Sequence, residues 1–173
     1  MAVYISTPLI LLYLAWRGRR NPAYFKRWSE RLGWVKLKMP VGGIWIHAVS
    51  VGEVNGVLPL VRCLQDRWPT KPIIFTCSTP TGSERIKTIF PNTVMPERQN
   101  NKGASSIYHC YLPLDLPGAM KRLYRQIQPS LVVVMETEIW PNFFLTAKDQ
   151  SIPLVLVNAR LSPRSASGYR RYL

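Results

Sequence analysis

The chain has 173 residues, of which 47% are hydrophobic, and its 23 Lys and Arg against 9 Asp and Glu give a formal net charge of +14. This length fits one domain with a sizeable core, and the hydrophobic fraction excludes an intrinsically disordered chain. The positive surface favours polyanionic partners: nucleic acid, anionic lipid headgroups or phosphorylated substrates.

The N-terminal segment is apolar from residue 3 to residue 16 and then meets the basic stretch "RGRR". It is shorter than the roughly 18 to 20 residues that a membrane-spanning helix needs. Tyr13 and Trp16 lie at the boundary with the basic stretch, a pattern typical of a segment that dips into a membrane from the cytoplasmic side. The alternative is a hydrophobic helix that packs on the domain or on a partner.

Beyond residue 40, short apolar runs alternate with helical patterns. The predicted strands are 43–49, 71–79, 111–115, 130–137 and 153–160, and the predicted helices are 53–67, 80–90, 117–127, 140–150 and a last one capped by Ser162. The last two strands are continuous apolar runs, as expected for strands covered on both faces. Residues 91–106, rich in Pro, Asn and Ser, are predicted to form a long exposed loop. The alternation predicts an α/β domain with a mainly parallel sheet.

The cysteines and histidines exclude further kinds of site. Cys63, Cys77 and Cys110 are widely spaced and form no CxxC pair, so neither a disulfide framework nor a zinc site is expected. The 2 histidines are too few for a His-rich metal centre. We therefore expect plain thiols in a reducing compartment and no metal.

In parallel sheets ligands bind at the carboxyl ends of the strands, so the turns that follow the strands are the candidate sites. The first such turn, "SVGE", carries Glu53 at the start of a helix. One interpretation is a helix-capping glutamate, because unpaired N–H groups and the helix dipole favour a negative charge there. The other is a cleft carboxylate that accepts a proton from a hydroxyl nucleophile. Gly52 allows a ligand to approach the backbone or φ to be positive.

The second and fourth turns, "STPTGS" and "NARLSPRS", are rich in hydroxyl groups. Hydroxyls and N–H groups at a helix start suit an anion or a sugar, and arginine there suits a phosphate or carboxylate. Ordinary capped or solvated turns are the alternative. Neither a Walker motif nor a GxGxxG fingerprint is present, which disfavours a nucleotide cofactor.

The third turn places Glu136 and Glu138 directly after the most apolar predicted strand. Burying unpaired charge is costly, so both carboxylates should project into the cleft. Residues i and i+2 of a strand share a face, so the two acids can perturb each other. The alternative is a pair of acids that meets some of the many arginines.

Five segments, in this order, resemble the Kdo transferase family, which attaches 3-deoxy-D-manno-octulosonic acid (Kdo) to the lipid A precursor of Gram-negative bacteria. They are "HAVSVGEVNGVLPLVRCL", "TPTGSERI", "YLPLDLPGAMKR", "METEIWPN" and "NARLSPRS". The apolar leader followed by "RGRRNPAYFKRWSERLG" is similar too. The resemblance implies a Rossmann-like, three-layer domain that binds the acceptor as the N-terminal half of a GT-B glycosyltransferase, preceded by an apolar helix. The implied division is 1–38 for the leader and basic segment and 39–173 for the domain.

The resemblance also implies roles for particular residues. Glu53 corresponds to the general base, which takes the proton of the acceptor's glucosamine 6′-hydroxyl, and Glu136 to a second cleft acid. The expected substrate-binding residues are Ser50, Gly52, Thr79, Thr81, Gly82, Ser83, Glu138, Asn158, Arg160, Ser162 and Arg164. The residues expected to contact lipid phosphate at the membrane are Arg17, Arg19, Arg20, Lys26, Arg27 and Arg31.

The expected donor is CMP-Kdo, with no metal or cofactor, and the expected location is the cytoplasmic face of the inner membrane. Family members have a second domain that supplies most of the donor site. The sequence is therefore interpreted as an N-terminal portion that is inactive alone. The alternatives are a non-catalytic module that binds phosphorylated lipid or nucleic acid, and another Rossmann-like enzyme with a nucleotide cofactor. A nucleic-acid partner is not expected, because aromatics interleave only weakly with the basic residues.

Overall fold

The computed structural model describes residues 2–93, 95, 107–136 and 138–159. Most of the predicted loop 91–106 and the predicted last helix lie outside the described residues, as do Arg160, Ser162 and Arg164. The α-helices of the described chain are α1 (Ala2–Arg20), α2 (Trp28–Arg31), α3 (Val51–Arg67), α4 (Pro80–Ile89), α5 (Pro117–Ile127) and α6 (Pro141–Asp149). The strands are β1 (Ile44–His47), β2 (Ile73–Cys77), β3 (Ile107–Tyr111), β4 (Leu131–Met135) and β5 (Leu154–Val157).

The strands form one five-stranded sheet in the order β3-β2-β1-β4-β5, and every neighbouring pair is parallel. The register sets His47 of β1 beside Thr76 of β2 and Val134 of β4, so the carboxyl ends of the strands lie along one edge. The strand order reverses between β1 and β4. In sheets of this kind, that reversal is where ligands bind.

Helices cover both faces of the sheet, and each face has its own apolar core. Val54, Val57 and Val61 of α3 pack with Phe75 and Ile86 on one face. Their spacing of three or four residues places them on one side of the helix, as predicted. Helices α5 and α6 bury the other face. The α/β, Rossmann-like, three-layer fold predicted from the sequence is confirmed.

The core under α5 and α6 is built around Trp45. Its indole packs edge-on against Tyr124 and Phe143, with ring centroids 4.8 Å away in each case. Its N–H donates to Thr76 Oγ1 at 2.8 Å, so the indole is buried without leaving a polar atom unpaired. Truncating such a residue typically costs about 3–5 kcal/mol. Trp45 therefore fixes β1 against both helices below the site.

Strand β3 differs from its predicted position. The sequence predicted a strand at 111–115, but the strand is Ile107–Tyr111 and only its last residue was predicted. His109 is a polar residue within this otherwise largely apolar segment. The His109 ring is nevertheless buried, because Nδ1 contacts the Phe75 carbonyl at 2.8 Å and Nε2 contacts Ser83 Oγ at 2.7 Å.

Strand β5 was predicted to be buried on both faces, and this prediction is wrong. The strand lies at the edge of the sheet and pairs with β4 alone among the described residues. Val155 is 47% exposed and Leu156 36% exposed. A continuous apolar run indicates a strand, but it does not reveal whether the strand is central or at the edge.

The segment after α1 packs into the domain. Val35, Leu37 and Met39 belong to the same core as Trp45, and the Gln126 side-chain amide donates to the carbonyls of Val35 and Leu37 at 2.8 and 2.7 Å. Within the described residues, no helix combines the length and the apolar character that crossing a bilayer requires.

Candidate active site at the carboxyl edge of the sheet

Glu53 lies in the first turn of α3 and is held by the turn that precedes the helix. Ser50 is the N-cap, and its hydroxyl accepts from Glu53 N at 3.4 Å and donates to Glu53 Oε1 at 2.9 Å. The other carboxylate oxygen, Oε2, accepts from Val49 N at 2.8 Å. This reciprocal arrangement is a variant of the capping box, for which S-x-x-E is the sequence signature. The capping interpretation of Glu53 is therefore confirmed.

The same carboxylate has an altered acidity. Burial raises the pKa of Glu53, the hydrogen bonds from Val49 and Ser50 lower it, and the nearby Glu138 and Glu136 raise it further. The net direction is upward. A helix terminus alone favours a lower carboxylate pKa, and burial together with the neighbouring acids outweighs it here. Only 7% of the residue is exposed.

Glu136 and Glu138 come to the same edge from β4. Glu136 follows the last residue of the strand and has a left-handed backbone, with φ of 57°. The alternation of a strand therefore does not extend to these two acids. Glu138 is half-buried, and its Oε2 accepts from the Trp140 indole N–H at 3.0 Å. Neither acid has an arginine partner among the described residues, so the alternative of an acid–arginine pair receives no support.

The second turn supports the first. Thr79 is the N-cap of α4, and its hydroxyl accepts from Gly82 N at 3.1 Å and donates to the Val49 carbonyl at 3.1 Å. A Cβ on Gly82 would lie 3.0 Å from the Thr79 hydroxyl, so a larger residue would crowd the cap of α4. Val49 therefore receives a bond from α4 through its carbonyl and supports Glu53 through its N–H.

The other predicted substrate-binding residues are placed differently from one another. Gly52 and Thr81 are exposed at the edge, and a Cβ on Gly52 would meet only Ser50 Oγ, at 3.8 Å. Gly52 has no positive φ. What it offers a ligand is therefore the open space beside its backbone. Ser83 is 1% exposed, and its hydroxyl contacts His109 Nε2 and Arg27 Nη1. Asn158 is exposed after β5 with φ of 55°.

Two of the predicted membrane-contacting cations lie inside the protein, which corrects that prediction. Arg27 donates to both carboxylate oxygens of Glu30 at 2.7 Å, and its guanidinium lies over the Tyr111 ring at 4.4 Å. Arg31 is buried, lies over the same ring at 4.6 Å and donates to the Ser78 carbonyl. Buried cations need internal partners, and these two have them.

The remaining predicted cations stay at the surface. Arg17, Arg19, Arg20 and Lys26 are exposed, at the end of α1 and just after it. Arg20 lies over the Trp16 ring at 4.8 Å, and Arg17 over the Tyr24 ring at 4.8 Å. These four residues are called the exposed basic cluster below. Their contact with lipid phosphate stays a prediction.

Sequence reasoning missed two residues at this edge. His47 is fully buried at the end of β1, its Nδ1 contacts Thr76 Oγ1 at 3.0 Å, and its Nε2 has no partner in the described part of the chain. Burial lowers the pKa of His47 to about 4, so the ring is neutral at pH 7. Asp115 caps α6 by accepting from the backbone N–H groups of Asn142 and Phe143. Only Asp115 carried a signal, an acid just before a predicted helix.

The groups at this site are suited to proton transfer. A buried carboxylate of raised pKa lies at the switch point of the sheet, beside open space at Gly52. A raised pKa makes a carboxylate a better proton acceptor when it is ionised. The fold and the site together define a Rossmann-like domain with a cluster of acidic residues at the β1–β4 crevice.

Comparisons with known proteins agree with this description. Residues 26–173 match the family model described as 3-Deoxy-D-manno-octulosonic-acid transferase (kdotransferase). A 3-deoxy-D-manno-octulosonic acid transferase of Haemophilus influenzae is 44% identical over 95% of this chain and 36% of its own length. A probable mitochondrial one of Arabidopsis thaliana is 36% identical over 94% of the chain and 34% of its own length. One of Bordetella pertussis is 32% identical over 91% and 36%.

The chain belongs to the 3-deoxy-D-manno-octulosonic-acid transferase family, because the family model covers most of it. The resemblance stated from the sequence motifs is confirmed. The chain spans about a third of the length of the curated relatives described above.

Proposed function

We propose that this chain is the acceptor-binding, N-terminal half of a GT-B enzyme that transfers Kdo from CMP-Kdo to the lipid A precursor. Membership of the family supports the transfer of Kdo. The position of Glu53 supports the assignment of the acceptor side, because its carboxylate lies at the crevice where sheets of this type bind ligands. The chain spans about a third of its relatives' length. We therefore also propose that transfer needs a donor-binding domain, which a longer relative can supply.

In this proposal Glu53 is the general base. The glucosamine 6′-hydroxyl of the acceptor approaches Glu53 beside Gly52, and the carboxylate takes its proton as the oxygen attacks the anomeric carbon of Kdo. The bond from that carbon to the CMP phosphate breaks, and CMP leaves with the electron pair. Val49 and Ser50 hold one oxygen of Glu53 each. Every carboxylate oxygen has a further lone pair, so an acceptor hydroxyl can still donate to it.

The raised pKa of Glu53 suits this role. Glycosyl transfer has oxocarbenium-like character by analogy with glycoside hydrolysis, so the proton can leave late and a modest base is enough. Burial raises the pKa of Glu53 first, and the charges of Glu138 and Glu136 add to the effect. Glu136 and Glu138 act as cleft acids that tune Glu53 and receive polar groups of the acceptor.

The test uses a chimaera in which this chain replaces the corresponding part of the Haemophilus influenzae relative. Glu53→Gln keeps the size of the side chain but removes the base. Transfer of Kdo should fall by at least about a hundredfold, the contribution typical of general base catalysis. Binding of the acceptor to the 173-residue chain, measured by calorimetry, should change by less than about threefold.

The matched control is Gln65→Glu in the same helix, which changes one charge of α3 well away from the crevice. It should leave the transfer rate within about twofold, since Gln65 lies at the far end of α3. Turnover of the Glu53→Gln chimaera at the parent rate would remove Glu53 from the role of base.

The location is proposed from the surface of α1. Leu9, Leu12 and Trp16 are exposed apolar side chains, and the exposed basic cluster lies at the end of the same helix. An apolar face bordered by cations binds an anionic membrane surface. We assign the chain to the cytoplasmic face of the inner membrane, held through α1, and expect neither a metal nor a cofactor for the transfer.

A further inference from the structure

A pocket separates α1 from the carboxyl edge of the sheet. Its volume is about 360 Å³, within the range of about 300–1,000 Å³ that small-molecule sites occupy. Ile10, Leu14 and Arg17 of α1 line one wall. Their spacing of three or four residues places them on one side of the helix.

The opposite wall is also mainly apolar. It is formed by Leu112, Leu114 and Leu116, in the segment between β3 and α5, together with the Trp140 ring. Leucine side chains on both walls offer dispersion contacts and exclude water, but few hydrogen bonds. Such a lining suits an apolar chain better than a sugar.

Two residues connect this pocket to the acidic site. Val49 lines the pocket, and its N–H donates to Glu53 Oε2 at 2.8 Å. Trp140 lines it too, and its indole N–H donates to Glu138 Oε2 at 3.0 Å. The walls that would contact an apolar ligand are therefore the ones that hold two carboxylates of the site.

A buried cation marks the polar side of the pocket. Arg31 lines it and is 3% exposed, and its Nε has no hydrogen-bond partner among the described residues. Its two Nη atoms donate to the Ser78 carbonyl, at 3.3 and 3.4 Å. Arg17 adds a second guanidinium at the α1 wall. An apolar chain carried by a negatively charged headgroup matches this combination.

We infer that the pocket between α1 and the sheet edge is a subsite for one acyl chain of the acceptor, and that the bound chain sets the acceptor hydroxyl against Glu53. The inference rests on the proposed function, which makes the acceptor an amphiphile. The outward side of α1, with Leu9 and Leu12, is the side proposed to meet the membrane. In this inference the chain passes from the bilayer around α1 into the pocket.

The first test locates a probe directly. The probe is monododecyl phosphate with a diazirine at the end of the chain, used with the 173-residue protein below the micelle-forming concentration. After irradiation, mass spectrometry should find label on Ile10, Leu14 and residues 112–116. Label confined to Leu9, Leu12 and Trp16, or spread equally over both sides of α1, would overturn the inference.

The second test fills the pocket. Ile10→Trp adds bulk at the α1 wall and should weaken calorimetric binding of monododecyl phosphate by about tenfold or more. Leu9→Trp adds the same bulk on the outward side, where Leu9 is 67% exposed, and should leave binding within about twofold. Equal binding by both variants would contradict the inference. Circular dichroism checks that both keep their helices, and the labelling experiment does not depend on either variant.

The third test varies the ligand. Burial of a methylene strengthens binding by up to about fourfold, so monobutyl phosphate should bind at least about tenfold more weakly than the dodecyl compound. Affinity that is independent of chain length would rule out an acyl subsite. None of these measurements uses the donor or the transfer reaction, so their failure leaves the role of Glu53 untouched, and the failure of Glu53→Gln leaves the pocket untouched.

Discussion

Two ion pairs in this protein have the same spacing and nearly the same length but opposite surroundings. Arg27 and Glu30 are three residues apart and 2.7 Å from each other, with side chains 7% and 2% exposed. Glu84 and Lys87 are also three residues apart, at 2.8 Å, with side chains 71% and 31% exposed. Sequence spacing makes the two pairs equivalent, and burial makes them different.

The buried pair joins three elements, whereas the exposed pair joins two residues of α4. Glu30 accepts from Tyr111 N at 2.7 Å, at the end of β3. Arg27 Nη1 donates to Ser83 Oγ of α4 at 3.2 Å. Removing one member of such a pair leaves a buried charge without compensation, which is far more costly than losing a solvated pair. The basic segment after α1 is thereby tied to β3 and α4.

The largest expected effect comes from Glu30→Ala. It leaves the Arg27 guanidinium and the Tyr111 N–H without their acceptor, and should lower the free energy of unfolding by about 3–5 kcal/mol. Urea denaturation followed by circular dichroism measures this loss. Glu84→Ala is the matched control, and it should change the free energy by less than about 0.5 kcal/mol. Similar losses in the two variants would show that burial does not distinguish the two ion pairs.

The next effect concerns pH and His109, which contacts the same network. Burial, followed by the charge of Arg27, lowers the pKa of His109 to about 3. The unfolded chain binds a proton near pH 6.5 and the folded protein does not, so stability should fall with decreasing pH below about 6.5. The slope from this residue is up to about 1.4 kcal/mol per pH unit. In His109→Gln the loss between pH 6.5 and 4.5 should be smaller by about 2 kcal/mol; an unchanged pH dependence would remove His109 as the cause.

Variants of the exposed basic cluster, unlike those of the buried Arg27–Glu30 network, should change membrane binding and leave stability unchanged. Arg19→Gln with Arg20→Gln should leave unfolding within about 0.5 kcal/mol, because both side chains are solvated. Partitioning onto vesicles of phosphatidylglycerol should weaken by about 2 kcal/mol, about 1 for each arginine near the surface. The control with the same charge change is Arg62→Gln with Arg67→Gln, exposed on α3. Equal weakening in both double variants would show that only net charge matters.

A smaller loss is expected from Ser83→Ala. The variant removes the hydroxyl that contacts His109 Nε2 at 2.7 Å and Arg27 at 3.2 Å. Leaving buried polar atoms unpaired should cost about 1–3 kcal/mol, at the lower end because both partners keep other bonds. Thermal unfolding measures this loss. Thr81→Ala in the same turn, where the hydroxyl is exposed, should leave the stability unchanged in the same measurement. A neutral Ser83→Ala would show that the network does not depend on this hydroxyl.

The smallest effect is a shift of the pH–rate profile in the chimaera. Glu138→Gln removes the nearby charge that raises the pKa of Glu53. The Glu53 pKa should therefore fall, and the acidic limb of kcat/KM should move to lower pH by less than about one unit. Gln keeps an oxygen for the Trp140 N–H, so the turn should be retained. A shift to higher pH would contradict the assigned neighbourhood of Glu53.

The sequence predicted the parts of the molecule that depend on local patterns. Helix α5 begins at Pro117 and ends at Ile127, as predicted, because a proline at the helix start and an amphipathic pattern define it. Glu53 was predicted at the start of a helix because an amphipathic pattern follows it. The parallel order of strand and helix fixed the edge at which the acids meet.

What the sequence could not supply depends on contacts between distant segments. Arg27 and Arg31 looked like part of one basic surface with Arg19, and only the fold shows that Ser83 and Ser78 receive them. The position of β3 was hard to predict because burying His109 requires a carbonyl and a hydroxyl from two other elements. The direction of the Glu53 pKa shift likewise depends on burial, which no spacing reveals.

The backbone of Glu136, with φ of 57°, has a consequence for anyone who wishes to stabilise this chain. A non-glycine residue held there costs about 1 kcal/mol or more, which glycine would avoid. A screen that selected for heat resistance alone should therefore enrich Glu136→Gly, reachable from a glutamate codon by one nucleotide change. The selected variant would have lost a carboxylate of the crevice in exchange for an unstrained backbone.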